Sequence, residues 1–372
     1  MQKTVLTVSV AAALALPGLA LAQAAAAPAG PAAPTLDKVL EASGIATSGY
    51  IDAAYSHANR NLEGGFSDRV LDSQNNSFVL HQVGLQMAKQ PKEGFGGLVN
   101  VTLGKDAGVI HSTPANESTF DLTQGYLQYA TGPLTVIGGK FTTLHGTEVI
   151  WSPSNANFSR SILFGAVPFT HTGVRATYAI SDSLSVIGGL NNGWDQLTDQ
   201  NKGKTLELGV TATPIKPLSL AASYYGGKEI STVNGVDGRR DSINFVGSYT
   251  IIEPLSVGLE YLRVTQKDAV GPAGSPSKMT YSGFAGYLSY LFMPKLKGTL
   301  RAETFDDKDG FHFGTADTKY REFTFTAAWL AADNFELRGE LRADRATNAV
   351  FSDGATLSKS LMTYAIQALY KF

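Results

Sequence analysis

The sequence predicts an all-β fold: a transmembrane antiparallel up-and-down β-barrel of sixteen strands, with short periplasmic turns, long extracellular loops and a third loop folded into the lumen. Three observations carry that expectation. First, Met362, Tyr364, Ile366, Ala368, Tyr370 and Phe372 alternate with Thr363, Gln367 and Lys371, the period of two of a strand with one apolar and one wetter face. Leu369 and Ala365 interrupt the alternation. Second, a strand opening recurs directly after a tight turn, at Pro133-Leu134-Thr135-Val136, Pro217-Leu218-Ser219-Leu220 and Pro254-Leu255-Ser256-Val257, with variants at Leu184, Leu296 and Phe335. These openings lie 34 to 50 residues apart, one hairpin per interval. Third, the segment 335–345 puts Phe335, Leu337, Gly339, Leu341 and Ala343 on one face and Glu336, Arg338, Glu340, Arg342 and Asp344 on the other. A charged side chain facing lipid costs about 2–4 kcal/mol at the bilayer midplane, so the second face must line water.

Taken in chain order, residues 1–22 read as a secretory signal. Lys3 supplies the positive region, 5–16 the apolar run and Ala20-Leu21-Ala22 the cleavage site. A membrane anchor is disfavoured because Pro17-Gly18 breaks the short apolar run. Residues 23–43 form a periplasmic Ala/Pro linker ending in one or two helical turns over 35–43, with Thr35 as N-cap and Gly44 as the stop. The barrel then occupies 44–372, with strands expected near 44–55, 77–89, 95–104, 120–129, 134–141, 169–179, 184–190 and 205–213 in its first half. The second half continues near 218–226, 242–250, 255–264, 280–291, 295–305, 320–330, 335–345 and 360–372. Fourteen or eighteen strands would satisfy a similar pattern. Turns such as Thr131-Gly132-Pro133 and Met293-Pro294 are short. The opposite connections, 226–240, 265–278, 306–319 and 346–358, are long and polar, the asymmetry of an outer-membrane barrel. Tyr178, Tyr224, Tyr249, Tyr261, Tyr290, Trp329 and Tyr370 sit near strand ends on the apolar face, as interfacial girdles do.

Composition narrows the function. The chain carries 30 Lys+Arg against 32 Asp+Glu, a net charge of −2 that becomes −3 when Lys3 leaves with the signal, which argues against nucleic acid as a partner. It has no cysteine, so disulfides and thiol chemistry are excluded. His57, His81, His111, His145, His171 and His312 make no metal-binding spacing, and neither metal nor cofactor is expected. A Ser161 pair with His145 or His171 is the nearest approach to a catalytic constellation, and ordinary abundance accounts for it. The reading is not an enzyme.

The connection 142–168 is the longest and the least polar, with Trp151, Phe158, Ile162, Leu163, Phe164 and Val167. So much apolar surface should pack, and the barrel interior is the available partner. Around it, Gly139-Lys140-Phe141, His145-Gly146-Thr147-Glu148, Asn157-Phe158-Ser159-Arg160-Ser161, Pro168-Phe169-Thr170-His171-Thr172-Gly173-Val174-Arg175 and Asn191-Asn192-Gly193-Trp194-Asp195 resemble the OmpL-like β-barrel porins. So does the opening Ser43-Gly44-Ile45 with Gly49-Tyr50-Ile51-Asp52. The resemblance covers the mature chain, with this central block its specific part, and implies an outer-membrane barrel with pore activity.

Lys140, His145, Glu148, Arg160, His171 and Arg175 are the candidates for a constriction whose opposed charges select solutes. For Arg160 and Glu148 the alternative role is to pin the loop to the wall. The remaining lumen-facing charges nearly cancel: Arg301, Arg338 and Arg342 with Lys297 stand against Glu207, Glu260, Glu303, Glu322, Glu336, Glu340 and Asp344, so weak ion selectivity is expected. The function expected is a porin: a water-filled channel for passive diffusion of small hydrophilic solutes and ions. The alternative is a surface binding, adhesion or assembly barrel acting through its outer loops. The expected partners are outer-membrane lipid and the barrel-assembly machinery, which would engage the C-terminal strand through Tyr370 and Phe372. Sixteen-stranded porins are often trimers, so a homotrimer is admitted, though no interface patch is legible.

Overall fold

The computed structural model describes residues 36–62, 65, 66, 68–113, 118–230, 237–270 and 276–372. The expected signal, 1–22, and most of the expected linker, 23–43, lie outside these residues. Leu36–Ser43 is a helix, ended by Gly44 at φ 67°, a left-handed conformation that glycine adopts without steric cost.

From Gly44 onward the chain forms a closed antiparallel barrel of sixteen strands. The first eight are β1 (Ala46–Ala58), β2 (Ser77–Lys89), β3 (Gly94–Leu103), β4 (Phe120–Thr131), β5 (Leu134–Thr142), β6 (Thr170–Ser181), β7 (Leu184–Asn191) and β8 (Thr205–Ile215). The second eight are β9 (Leu218–Ile230), β10 (Asp237–Ile252), β11 (Leu255–Val270), β12 (Pro276–Met293), β13 (Leu296–Asp307), β14 (Thr318–Ala332), β15 (Phe335–Ala346) and β16 (Ser360–Lys371). Each strand pairs with its sequence neighbours, and β1 pairs with β16 from Tyr50↔Lys371 to Ala58↔Thr363. The seam is completed by Phe372, whose N–H donates to the Gly49 carbonyl at 2.9 Å while its carbonyl accepts from the Gly49 N–H at 2.8 Å. No edge is left unpaired, which removes the liability of an exposed strand.

Strands β10, β11 and β12 run several residues beyond the expected bounds. Ile230 pairs with Asp237 and Val270 with Pro276, so the connections expected over 226–240 and 265–278 shrink to 231–236 and 271–275. The polar residues there (Lys228, Glu229, Arg239, Arg240, Gln266) look like loop because neither face needs to be apolar above the bilayer. Backbone pairing continues regardless. A small hairpin, Phe351–Asp353 with Thr356–Ser358, also forms within the last outer loop.

Side-chain burial is inverted relative to a water-soluble protein. Large apolar residues cover the outside, with Phe78 87% and Phe95 80% exposed, whereas Arg301 and Arg342 are 0% and 1% exposed inside. A conventional apolar core exists at the outer end, where Leu262, Val264, Met279, Tyr281 and Phe305 pack against Ile162, Leu163 and Val167 of the third loop.

Candidate functional site

The third loop, residues 143–169, lies within the barrel, and its own backbone explains what holds it there. A loop crossing a barrel has N–H groups with no ladder to join, and each needs an acceptor. Inward-facing carboxylates supply them. Glu260 accepts from the N–H of Thr147 at 2.8 Å, Glu340 from Phe158 and Ser159 at 2.7 and 2.9 Å, and Glu303 from Ile162 and Leu163 at 2.7 and 3.2 Å. Glu148, on the loop itself, accepts from the N–H of Ser161 at 2.6 Å. Apolar fit adds to this: Leu163 lies against Gly283, where a β-carbon would come within 2.6 Å of its methyl.

The bases work in the same network. Arg301 donates to Glu148 and to the Ser159 carbonyl, both at 2.6 Å, and to Glu322 at 3.0 Å. Arg342 donates to Asp344 at 2.8 Å and to the Arg160 carbonyl at 2.5 Å. Arg338 donates to Glu336 at 2.8 Å and to Gln367 at 3.2 Å. Buried charges of this kind persist only when paired and hydrogen-bonded. Among the described residues Arg160 takes no carboxylate on its guanidinium. It donates to the carbonyls of Phe158 at 2.8 Å, Val149 at 3.2 Å and Ile150 at 3.5 Å, and to the Ser152 hydroxyl at 3.3 Å.

The first loop joins the network unannounced. Arg69 donates to Asp72 at 2.6 Å and to Asp344 at 2.9 Å, and stacks over Phe66. The run Phe66, Asp68, Arg69, Leu71 and Asp72 mixes apolar residues with charges of both signs, the pattern of a folded loop without the period of a strand.

The six constriction candidates therefore fall into separate groups. Glu148 and Arg160 meet the β13–β16 wall. His145, His171 and Arg175 lie on another part of it: His145 sits between the hydroxyls of Ser223 (2.7 Å) and Ser242 (3.0 Å), and His171 stacks on Tyr225 at 4.3 Å. Arg175 pairs with Glu207 and lies over Phe141. Lys140 is bound to Asp121 at 3.2 Å and to the Leu122 carbonyl at 2.8 Å. Ser161 caps the short helix Ile162–Gly165 by accepting from Phe164, and no hydrogen bond joins it to either histidine.

Three cavities follow the third loop. An outer one of about 510 Å³ is lined by Trp194, Glu229, Arg240 and Val167. A waist of about 260 Å³ has Val167 and Glu148 in its wall, and an inner one of about 290 Å³ shares Glu148 and reaches Tyr249 and Ser256 near the short turns. The three cavities share wall residues, Val167 between the outer pair and Glu148 between the inner pair.

The barrel is similar in fold to solved outer-membrane proteins. The channel DcaP of Acinetobacter baumannii matches with a TM-score of 0.64 at 14% identity, over 88% of this chain and 97% of its own. The anion-selective porin from Comamonas acidovorans matches with a TM-score of 0.64 at 12% identity, over 88% and 99%. OmpT of Vibrio cholerae, folded in vitro, matches with a TM-score of 0.60 at 15% identity, over 88% and 97%. No curated protein sequence matches. The chain belongs to the family described as "Putative beta-barrel porin-2, OmpL-like", whose model matches residues 44–372. It is a porin of the bacterial outer membrane.

Proposed function

We propose that this porin is a passive diffusion channel for small hydrophilic solutes and ions, not a catalyst, with its constriction set by a third loop fastened permanently to the wall. What carries the reading is the series of chambers along that loop, sharing Val167 and Glu148. The carboxylate anchoring supports a fixed constriction rather than a moving lid, since withdrawal of the loop would strand Glu260, Glu303 and Glu340 together with the N–H groups they accept. Glu148, Arg160, Lys140, His145, His171 and Arg175 shape this passage chiefly by holding its walls.

On this reading residues 1–22 are removed on export, 23–43 are a periplasmic linker, and the β16 strand with Tyr370 and Phe372 is what the barrel-assembly machinery engages. Membrane lipid covers the apolar exterior. A homotrimer is the proposed assembly, as one of the similar OmpT structures is described as a trimer form. Purified protein in a planar bilayer should give stepwise ohmic currents with little preference between K⁺ and Cl⁻. A barrel that inserts and passes no current would overturn the proposal.

A further inference from the structure

The waist and the inner chamber have a chemistry that the outer chamber lacks. In the outer chamber Asp195, Glu229 and Arg240 are present. Past it, among the described residues, the walls of the next two chambers hold one carboxylate, Glu148, and one imidazole, His145, which lies between the Ser223 and Ser242 hydroxyls; both Glu148 oxygens are taken, one by Arg301 and one by the Ser161 N–H. Around the third loop, Arg301, Arg338 and Arg342 are spent on carboxylates and loop carbonyls, and Glu260, Glu303 and Glu340 on loop N–H groups.

What remains along the waist is two unlike faces. On the loop side stand Leu144, Ile150, Trp151, Phe164 and Phe169, with Trp151 braced edge-on by Tyr50 at 4.5 Å. On the β2–β4 side stand Gln86, Asn100, Thr123 and Gln124. These amides keep capacity in hand. Gln86 makes no side-chain hydrogen bond among the described residues, Asn100 uses its amino group on the Leu85 carbonyl at 3.2 Å, and Gln124 uses its oxygen on Thr142. In the inner chamber, the Thr147 hydroxyl, the Asn157 amide oxygen and the Tyr287 hydroxyl are buried without a partner among the described residues, and Asn157 is 1% exposed.

From this arrangement, and resting on the channel reading above, we infer that the waist and inner chamber bind and pass an uncharged polyhydroxylated solute of hexose size. A sugar ring offers a C–H face that can lie on Trp151, which Phe164 and Phe169 back as an apolar wall, and a rim of hydroxyls that both donate and accept. That matches an apolar wall opposite unspent amides. An ion of the same size has to shed water here and finds no countercharge in exchange. The volumes, about 260 and 290 Å³, fall at or under the roughly 300–1,000 Å³ of sites for drug-sized ligands, so the solute is small.

The test uses three hexose-sized probes that differ in charge: glucose, gluconate and glucosamine. The purified full-length mature protein is reconstituted in liposomes for swelling rates and in planar bilayers for KCl current. Glucose should enter several-fold faster than either charged probe, and Gln86→Leu, which removes one free amide while keeping its bulk, should lower the glucose rate relative to gluconate. Entry of gluconate or glucosamine as fast as glucose, with KCl current present, overturns this inference and leaves the channel reading standing. Absence of both current and swelling overturns the two together.

Discussion

Arg160 shows how a residue's chemistry and its role can part. As a cation close to Glu148 it suits a selectivity element, but its guanidinium donates to three carbonyls and a hydroxyl of its own loop. Replacing it with alanine strips the donor from the Phe158 and Ile150 carbonyls and the Ser152 hydroxyl, at about 1–3 kcal/mol for each acceptor left unpaired, while the Val149 carbonyl keeps the Asn155 amide at 2.9 Å. The expected result for Arg160→Ala is a noisier channel of larger mean conductance, with the reversal potential in a KCl gradient moved little. A clean shift of that potential without added noise would return Arg160 to the selectivity filter. Asp195 makes a second residue-scale case, in the fourth outer loop. Burial pushes its carboxyl up to about 6, with nearby Glu229 adding to the effect and the N–H groups of Thr170 and Phe169 and the charge of Lys140 opposing it. A folded-state value above the unfolded value of about 3.9 means the folded state holds the proton more tightly. Its stabilising contribution is complete below about pH 4 and is lost as pH rises through 6. The wild type should therefore lose thermal stability relative to Asp195→Asn across that window and run parallel to it on either side, as followed by heat-modifiable gel migration.

Among the elements, the strands were legible and the loops only partly so, for a physical reason. A strand in a bilayer is constrained on both faces, so Glu336 to Asp344 betray their orientation by alternation alone. Loop 3 carries no such constraint. Its apolar residues signal that it packs, but the acceptors for its N–H groups come from β11, β13 and β15, more than a hundred residues away. Each of those glutamates looks like ordinary lumen charge until the loop is laid against it. Glu340 can be singled out, since it takes two loop N–H groups and the Thr326 hydroxyl at 2.7 Å. Glu340→Gln keeps one accepting oxygen and turns the other position into a donor facing an N–H. The expected consequence is exposure of the 156–160 segment to added protease in detergent, with the barrel strands still protected. Equal protection of wild type and variant would show that apolar packing at Leu163 holds the loop by itself.

At the scale of the whole molecule, closure depends on two distant segments meeting in register, and the alternating aromatic pattern of β16 announces a last strand without naming its partner. The partner is β1, and the contact at the periplasmic end is close: a β-carbon on Gly49 would overlap the ring of Phe372 and come within 3.1 Å of the Gly84 carbonyl. Glycine at 49 is thus the space the terminal ring occupies. Two changes probe the same contact from opposite sides. Gly49→Ala forces the ring off the seam, and Phe372→Ala removes the ring while the backbone pair at 2.8 and 2.9 Å can persist. Each should slow assembly into liposomes and lower the unfolding temperature. Combined, they should cost less than the sum of the two, because the alanine at 49 then fills room that the ring has vacated, and neighbours in contact couple by about 0.5–3 kcal/mol. The rescue should be partial, since the Gly84 carbonyl still crowds the new methyl. Strict additivity of the two losses would mean that the ring and the glycine do not share that space, and that backbone pairing alone seals the barrel.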